Sequence, residues 1–369
     1  MREARRVIVL AALASWVAGG TGQVAAGGIG PSSTDQFPRP IPMGTSCGNW
    51  QSSPFIYTGT CGLRVRFFSA PSVLAILSNN HVLGTQGPDL CPNSAVPFET
   101  ITLQPGTLDI GSIPADPTPF AVGLVAGFVP LNFAAGAFNL VDAAAAFTTA
   151  SLASRTILDL GEPTQAVTTP TPGMAVVKTG RTTDTTNGTI QSVGTTVNVN
   201  YGAGCGVARF VGQIVITPGA FSSGGDSGSA ILQTSSNIPV GLLFAGSATQ
   251  TIANDIRLVY LSLGAFPDGV APRPAGALAS PEALRQAIQA SRDAEIERVS
   301  AVRARVEAAF FRHPDVVGLG VGLDEAGAGL ALVTYVRGAE GPVARALPAS
   351  VEGVPVRVVH SGEFNAYDW

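Results

Sequence analysis

The segment Gly224-Gly225-Asp226-Ser227-Gly228-Ser229 leads into the apolar run Ala230-Ile231-Leu232, and Val240-Gly241-Leu242-Leu243-Phe244-Ala245-Gly246 follows a few residues later. A serine thus sits among glycines between two short β-prone runs. A serine hydroxyl is a poor nucleophile unless a base takes its proton and donors hold the oxyanion that forms. The glycines meet the second need, because they let the backbone turn until the amides of Gly225 and Ser227 point at one spot. A Gly/Ser surface turn is the competing reading, and the presence of a base separates the two.

Up to residue 312 the chain has one histidine, His81, in Leu77-Ser78-Asn79-Asn80-His81-Val82-Leu83. A serine nucleophile in this part of the chain has no other imidazole to serve it. A third group must orient that imidazole. Asp89, Glu99, Asp109, Asp116, Asp142, Asp159, Glu162, Asp184 and Asp226 are the acids between His81 and Ser227. Asp142 stands apart, because Phe138-Asn139-Leu140-Val141-Asp142-Ala143-Ala144 reads as buried, and a buried carboxylate is costly unless something donates to it. Asp109 and Asp116 lie among Gly and Pro, where a solvated acid is expected. His313 and His360 read as bystanders.

Further out, short β-rich runs recur between Gly, Pro, Asn and Thr clusters, among them 62–68, 73–77, 121–128, 143–147, 175–178, 189–193, 196–200, 213–217 and 257–261. Many short strands with turn signals and little helical periodicity predict an all-β sandwich or barrel. Across 369 residues the apolar share is 46% and the charged share 12%, so a disordered chain is excluded. Net charge is −4 with a single lysine, Lys178, which leaves no basic footprint for a nucleic acid. Residues 27–270 carry 8 Arg/Lys and 12 Asp/Glu, whereas the shorter 271–369 carries 10 and 12. With Pro267, Pro272, Pro274 and Pro281 at this shift, 266–280 reads as a linker. Beyond it, Ser280-Pro281-Glu282 starts helix, with Leu284, Ile288, Val299, Val302, Val306 and Phe310 on one face. Strands at 316–323, 330–336 and 354–360 complete a small α+β unit over 281–369. Gly318-x-Gly320-x-Gly322 is not a dinucleotide motif, because the helix precedes it.

Arg2, Arg5 and Arg6, an apolar run from Val7 to Gly19 and the ending Val24-Ala25-Ala26 predict a signal peptide over 1–26, with an N-terminal segment at 27–44. The apolar run is shorter than the ~20 residues of a membrane span. The four cysteines, Cys47, Cys61, Cys91 and Cys205, all lie beyond it. An even count in an exported chain predicts two disulfides in three possible pairings. With no C-x-x-C pair, no metal site is expected. Asn187-Gly188-Thr189 fits a hairpin turn better than a glycosylation site.

The order His, Asp, Ser, carried by Ser-Asn-Asn-His-Val-Leu at 78–83, Asn-Leu-Val-Asp-Ala-Ala-Ala at 139–145 and Gly-Asp-Ser-Gly-Ser at 225–229, resembles chymotrypsin-fold serine peptidases. Val177-Lys178-Thr179-Gly180-Arg181-Thr182-Thr183, Gly188-Thr189-Ile190 and Val197-Asn198-Val199-Asn200-Tyr201-Gly202 are similar to the bacterial branch of alpha-lytic protease and the streptogrisins. The motif wording is also similar to the trypsin-like group that includes the plant Narrow Leaf proteins. The resemblance covers about residues 57–265. It implies two antiparallel β-barrels of chymotrypsin type, about 45–155 and 156–265, in a peptidase domain over 45–265. It implies His81 as base, Asp142 as its orienting partner, Ser227 as nucleophile, the Gly225 and Ser227 amides as oxyanion hole, and no cofactor. By the same resemblance Asp226 pairs with Arg181 and shapes the oxyanion loop without zymogen cleavage. Phe221, Ala245 and Gly246 would line a specificity pocket that, lacking an acid, takes a small or apolar residue.

The expectation is therefore a secreted or periplasmic serine endopeptidase acting on peptide or protein, with the C-terminal unit docked on the enzyme or recruiting a protein partner. Two rivals remain from the sequence: a silent binding or adhesion module on the same fold, and an esterase with the same triad.

Overall fold

The computed structural model describes residues 31–50, 58–86, 91–164, 167–202, 204–269, 280–290 and 293–366. The expected signal peptide and most of the linker lie outside them. The first half contains β1 (Thr45–Asn49), β2 (Leu63–Phe67), β3 (Ala70–Ser78), the one-turn helix α1 (Asn80–Leu83), β4 (Ile101–Leu103), β5 (Ala121–Phe128) and β6 (Ala144–Thr148). These pair antiparallel in the order β2-β3-β6-β5-β4-β1. A short strand, Gly59–Cys61, pairs with β1 and runs through Gly62 into β2. The two ends of the curled sheet are therefore one continuous piece of chain, which closes the half around Val65, Ile76, Leu77, Val125 and Ala144.

The second half contains β7 (Ala175–Gly180), β8 (Asp184–Asn200), β9 (Val207–Thr217), β10 (Ala230–Gln233), β11 (Ile238–Gly246) and β12 (Thr251–Asp255). Its order, β7-β10-β11-β12-β9-β8, returns to β7 through the β7–β8 hairpin, so this barrel is closed by hydrogen bonds all round. Closure pairs the strands within the ring, while the ends of β8 and β11 that run past it keep an edge open to further strands. The molecule is mostly β, with two barrel-like antiparallel halves and a small α+β unit after them. The runs expected at 189–193 and 196–200 are one 17-residue strand, whose pairing slips near Gly194, a glycine with φ of +58°. The run at 257–261 is the main departure. It lies in α2 (Ile256–Leu263), capped at its start by the Asp255 carboxylate on the Arg257 amide and ended by left-handed Gly264.

Helix α3 (Ala294–Phe310) and strands β13 (Val316–Leu323), β14 (Leu330–Val336) and β15 (Val354–His360) form the last unit, and one more strand, β16 (Phe364–Ala366), follows. The unit adds to the second barrel's sheet, because β13 pairs with β8 at Ser192↔Gly322 and Val197↔Gly318. The Gly318-x-Gly320-x-Gly322 run serves this contact. A Cβ on Gly320 would stand 2.2 Å from Thr195 Oγ1 and one on Gly322 2.3 Å from the Gln191 carbonyl. Two bridges are present, Cys47–Cys61 within the first barrel and Cys91–Cys205 between the halves. Among the described residues no helix is long and apolar enough to cross a membrane.

Candidate active site

His81 lies on α1, directly after β3, and Asp142 lies just before β6, the neighbour of β3. Adjacent strands thus deliver imidazole and carboxylate to one end of the first barrel. His81 Nδ1 is 2.6 Å from Asp142 Oδ2, and the two side chains are 1% and 0% exposed. Asp142 also holds the helical turn itself, since its Oδ1 accepts the backbone amides of Asn80 (2.6 Å) and His81 (3.1 Å). A fourth donor, the Tyr201 hydroxyl, reaches Oδ2 at 2.7 Å. A carboxylate this buried is tolerable because its acceptor sites are filled. An ionised carboxylate only accepts, so the His81 proton facing it is on Nδ1 and the basic nitrogen is Nε2. The backbone of Asp142 is pinned as well. Asn79 Nδ2 donates to its carbonyl at 2.7 Å, and Asn254 of β12 bonds both its amide and its carbonyl.

Ser227 comes to the same place from the second barrel. Its carbonyl accepts the Thr60 amide at 2.7 Å. A Cβ built on Gly59 would meet Val82 Cγ2 at 2.5 Å and the Ser227 carbonyl at 2.9 Å, so the residue after His81 and the Ser227 backbone flank one glycine. Ser227 is fully buried, with its Oγ directed at the Phe244 carbonyl at 3.4 Å. Its loop is fixed by Gly228 N–H donating to the Leu243 carbonyl and Asp226 N–H to the Ser223 carbonyl. Gly225 has φ of +90°, and a Cβ there would lie 2.5 Å from Thr182 Oγ1. The Gly225 carbonyl accepts from Thr60 Oγ1 at 3.0 Å, so both faces of the turn are held.

The expected Arg181–Asp226 pair is not formed. Asp226 accepts the amides of Thr182 (2.8 Å), Thr183 (3.2 Å) and Ser223 (2.9 Å) and the Thr183 hydroxyl (2.7 Å), and its cation is Lys178, with Nζ at 3.4 Å. Arg181 turns instead to Asp109, which it grips with Nε at 3.0 Å and Nη2 at 2.5 Å. The cause is where β7 ends. Lys178 is inside the strand with its side chain fully buried, while Arg181 follows Gly180 in the turn and points away. Asp109, expected to be solvated, is therefore nearly buried and also accepts from Ser46 Oγ. Burial pushes the Lys178 ammonium below its ordinary range, with Asp226 and then Asp184 opposing the shift.

Of the residues expected to line a specificity pocket, Phe221 and Ala245 fall in different core clusters. Phe221 is buried in the second barrel's interior with Val176, Ile190, Ile216 and Ile231, its ring 6.0 Å from Lys178 Nζ. Ala245 belongs to another cluster, with Phe210, Phe244 and Phe364. A large aromatic surface gains more inside a closed barrel than beside a cleft. Ala245 and Gly246 lie at the end of β11, beside the acceptor of the Ser227 hydroxyl.

No family model and no curated protein sequence matches the chain. Solved structures do resemble it. A glutamic acid specific serine protease aligns at 18% identity and a TM-score of 0.42 over 62% of this chain and 100% of its own. Thermobifida fusca protease A aligns at 18% and 0.41 over 62% and 97%, and a Cellulomonas bogoriensis chymotrypsin at 17% and 0.40 over the same shares. These are likenesses of chain path at low identity, and the chemistry of the site is read from its own geometry.

Sequence reasoning passed over Lys178, Tyr201, Asn79 and Asn254 as parts of the site. Lys178 carried a signal, as the only lysine of the chain and set among apolar strand residues. Tyr201 and Asn254 carried none, because their contacts with Asp142 span 59 and 112 residues.

Proposed function

We propose that the protein is an exported serine endopeptidase, with Ser227 as nucleophile, His81 as general base and then acid, and Asp142 as the group that orients the imidazole and stabilises its charged form. The observation that carries this reading is the buried His81 Nδ1 to Asp142 Oδ2 contact at 2.6 Å, with the Ser227 carbonyl and the side chain of Val82, the residue after the histidine, on either side of Gly59. In the reaction His81 Nε2 takes the Ser227 proton as Oγ attacks the scissile carbonyl, and the amides of Gly225 and Ser227 receive the oxyanion. His81 then protonates the leaving amine, and water repeats the sequence on the acyl-enzyme. The left-handed Gly225 and the Asp226 network support a loop already set for this task, with no need for an amino terminus freed by cleavage. The two disulfides support export to an oxidising compartment.

The test is labelling with a fluorophosphonate, which reacts with an activated serine. Labelling of the protein that is lost in Ser227→Ala is the expected result, and an equal signal from both would remove Ser227 from the reaction. Turnover of a matched ester and amide then separates peptidase from esterase, because the amine leaves only if His81 protonates it.

A further inference from the structure

Strand β16 lies between the ends of two strands that run up to the candidate site. It pairs antiparallel with the end of β11, Ala245 opposite Ala366 and Gly246 opposite Asn365. On its other side it pairs in parallel with the end of β8, Val199 with Phe364 and Asn200 with Asn365. These two flanks are the flanks of the site. Phe244, next to Ala245, accepts the Ser227 hydroxyl, and Tyr201, next to Asn200, donates to Asp142. The polarity is informative too. Asn365 faces Gly246 and Ala366 faces Ala245, so the segment runs in its N-to-C direction toward Phe244 and the nucleophile. A substrate's acyl side must approach a serine in that sense, because its carbonyl lies at the C-terminal end of the residues that precede the cut bond. Both Ser227 and His81 have essentially no exposed surface with the segment in place.

From this arrangement we infer that Phe364–Ala366 is a peptide ligand that the chain carries for its own cleft, bound by strand addition to β11 in place of an incoming substrate. Its anchor is Phe364, fully buried among Tyr201, Phe210, Phe244 and Tyr335. The loop after β11 runs beside the approach, with Thr249 Oγ1 3.4 Å from the His360 carbonyl and 3.3 Å from the Ser361 carbonyl. The α+β unit is thereby more than an appendage. Pairing of β13 with β8 fixes the unit against the second barrel, and the chain leaving β15 is delivered to the cleft as a tethered, high-local-concentration occupant. Only the labelling arm of the test below rests on Ser227 being the nucleophile.

The full-length chain is compared with Phe364→Ala, which removes the anchor, and Asn365→Pro, which removes a strand N–H and leaves the buried ring. Circular dichroism melts confirm folding, and Asn365→Pro decides if Phe364→Ala does not fold. One assay is the rate of fluorophosphonate labelling. The other is binding of the fluorescent hexapeptide Ser-Gly-Glu-Phe-Asn-Ala, followed by anisotropy on the Ser227→Ala background, which needs no nucleophile. The expected result is labelling at least tenfold faster in the variants, peptide binding by the variants and not by the parent, and suppression of the faster labelling by added peptide. A parent that labels as fast as an open serine hydrolase and binds the hexapeptide as well as the variants overturns the inference and leaves the Ser227 reading intact. No labelling in any form, with peptide bound by the variants alone, overturns the Ser227 reading and leaves the occupancy standing. Neither labelling nor binding in any form overturns both.

Discussion

Replacing Lys178 by methionine is the sharpest test of how the serine loop is held. Lys178 and Asp226 are both fully buried, with Nζ at 3.4 Å from Oδ2, and Nζ also reaches the Asp184 carbonyl at 2.9 Å and the Thr183 hydroxyl at 2.5 Å. Methionine keeps most of the volume and leaves Asp226 as a buried anion. Breaking a buried pair in this way costs roughly 3–5 kcal/mol. Asp226 retains three amide donors and one hydroxyl, which places the expected loss near the low end, about 3 kcal/mol. That is on the order of a hundredfold in the unfolding equilibrium. Arg181→Met breaks a pair whose side chains are 16% and 8% exposed, between surface and interior, and roughly 1–2 kcal/mol is expected. Urea denaturation of the two variants, followed by tryptophan fluorescence, gives the comparison, with fluorophosphonate labelling reporting on the loop. Lys178→Met is expected to lose both stability and labelling, and Arg181→Met to keep most of its labelling. An Arg181→Met cost equal to or above that of Lys178→Met would refute the assignment of Lys178 as the partner of Asp226.

Asp142→Asn keeps the shape of the site and removes the acceptor that sets the imidazole tautomer, so turnover of a peptide substrate should fall by about 10⁴-fold with the fold retained; an unchanged kcat would exclude Asp142 from the reaction. Gly225→Ala puts a Cβ against Thr182 Oγ1 at positive φ, and labelling of Ser227 should collapse while the melting temperature falls only slightly. Removing Cys91–Cys205, which closes a separation of 114 residues, should destabilise more than removing Cys47–Cys61, which closes 14; in the chain-entropy view the costs are about 4.7 and about 3 kcal/mol, compared by melts of the paired Cys→Ser variants. Because burial lowers the Lys178 pKa from 10.5, the unfolded chain holds that proton after the folded one has released it. Between the lowered value and 10.5 this group alone makes stability rise with pH, a slope that denaturation at alkaline pH should register in the parent and miss in Lys178→Met.

The grouping of the candidate site residues was legible in part in the sequence. A glycine-flanked serine, one imidazole upstream of it and one acid in an apolar run are statements about residue types and short-range pattern, and the structure brings His81 onto Asp142 as that pattern required. The strands at 121–128, 316–323, 330–336 and 354–360 were readable for the same reason, since β-prone runs and the turn residues that bound them act over a few positions. Segment 257–261 misled because its β-prone composition is overruled by a cap at Asp255 and a stop at Gly264.

Partner choice was decided only by tertiary structure. Lys178 and Arg181 are three residues apart, and which of them meets Asp226 depends on β7 ending at Gly180, a boundary set by pairing with β8 and β10. The fate of Phe221 is of the same kind, because a closed barrel draws in an aromatic ring that an open edge would leave at a cleft. The three residues of β16 carry no periodicity at all. Their place between the ends of β8 and β11 comes from backbone hydrogen bonds to two strands far away in the chain, and backbone groups are the same in every residue.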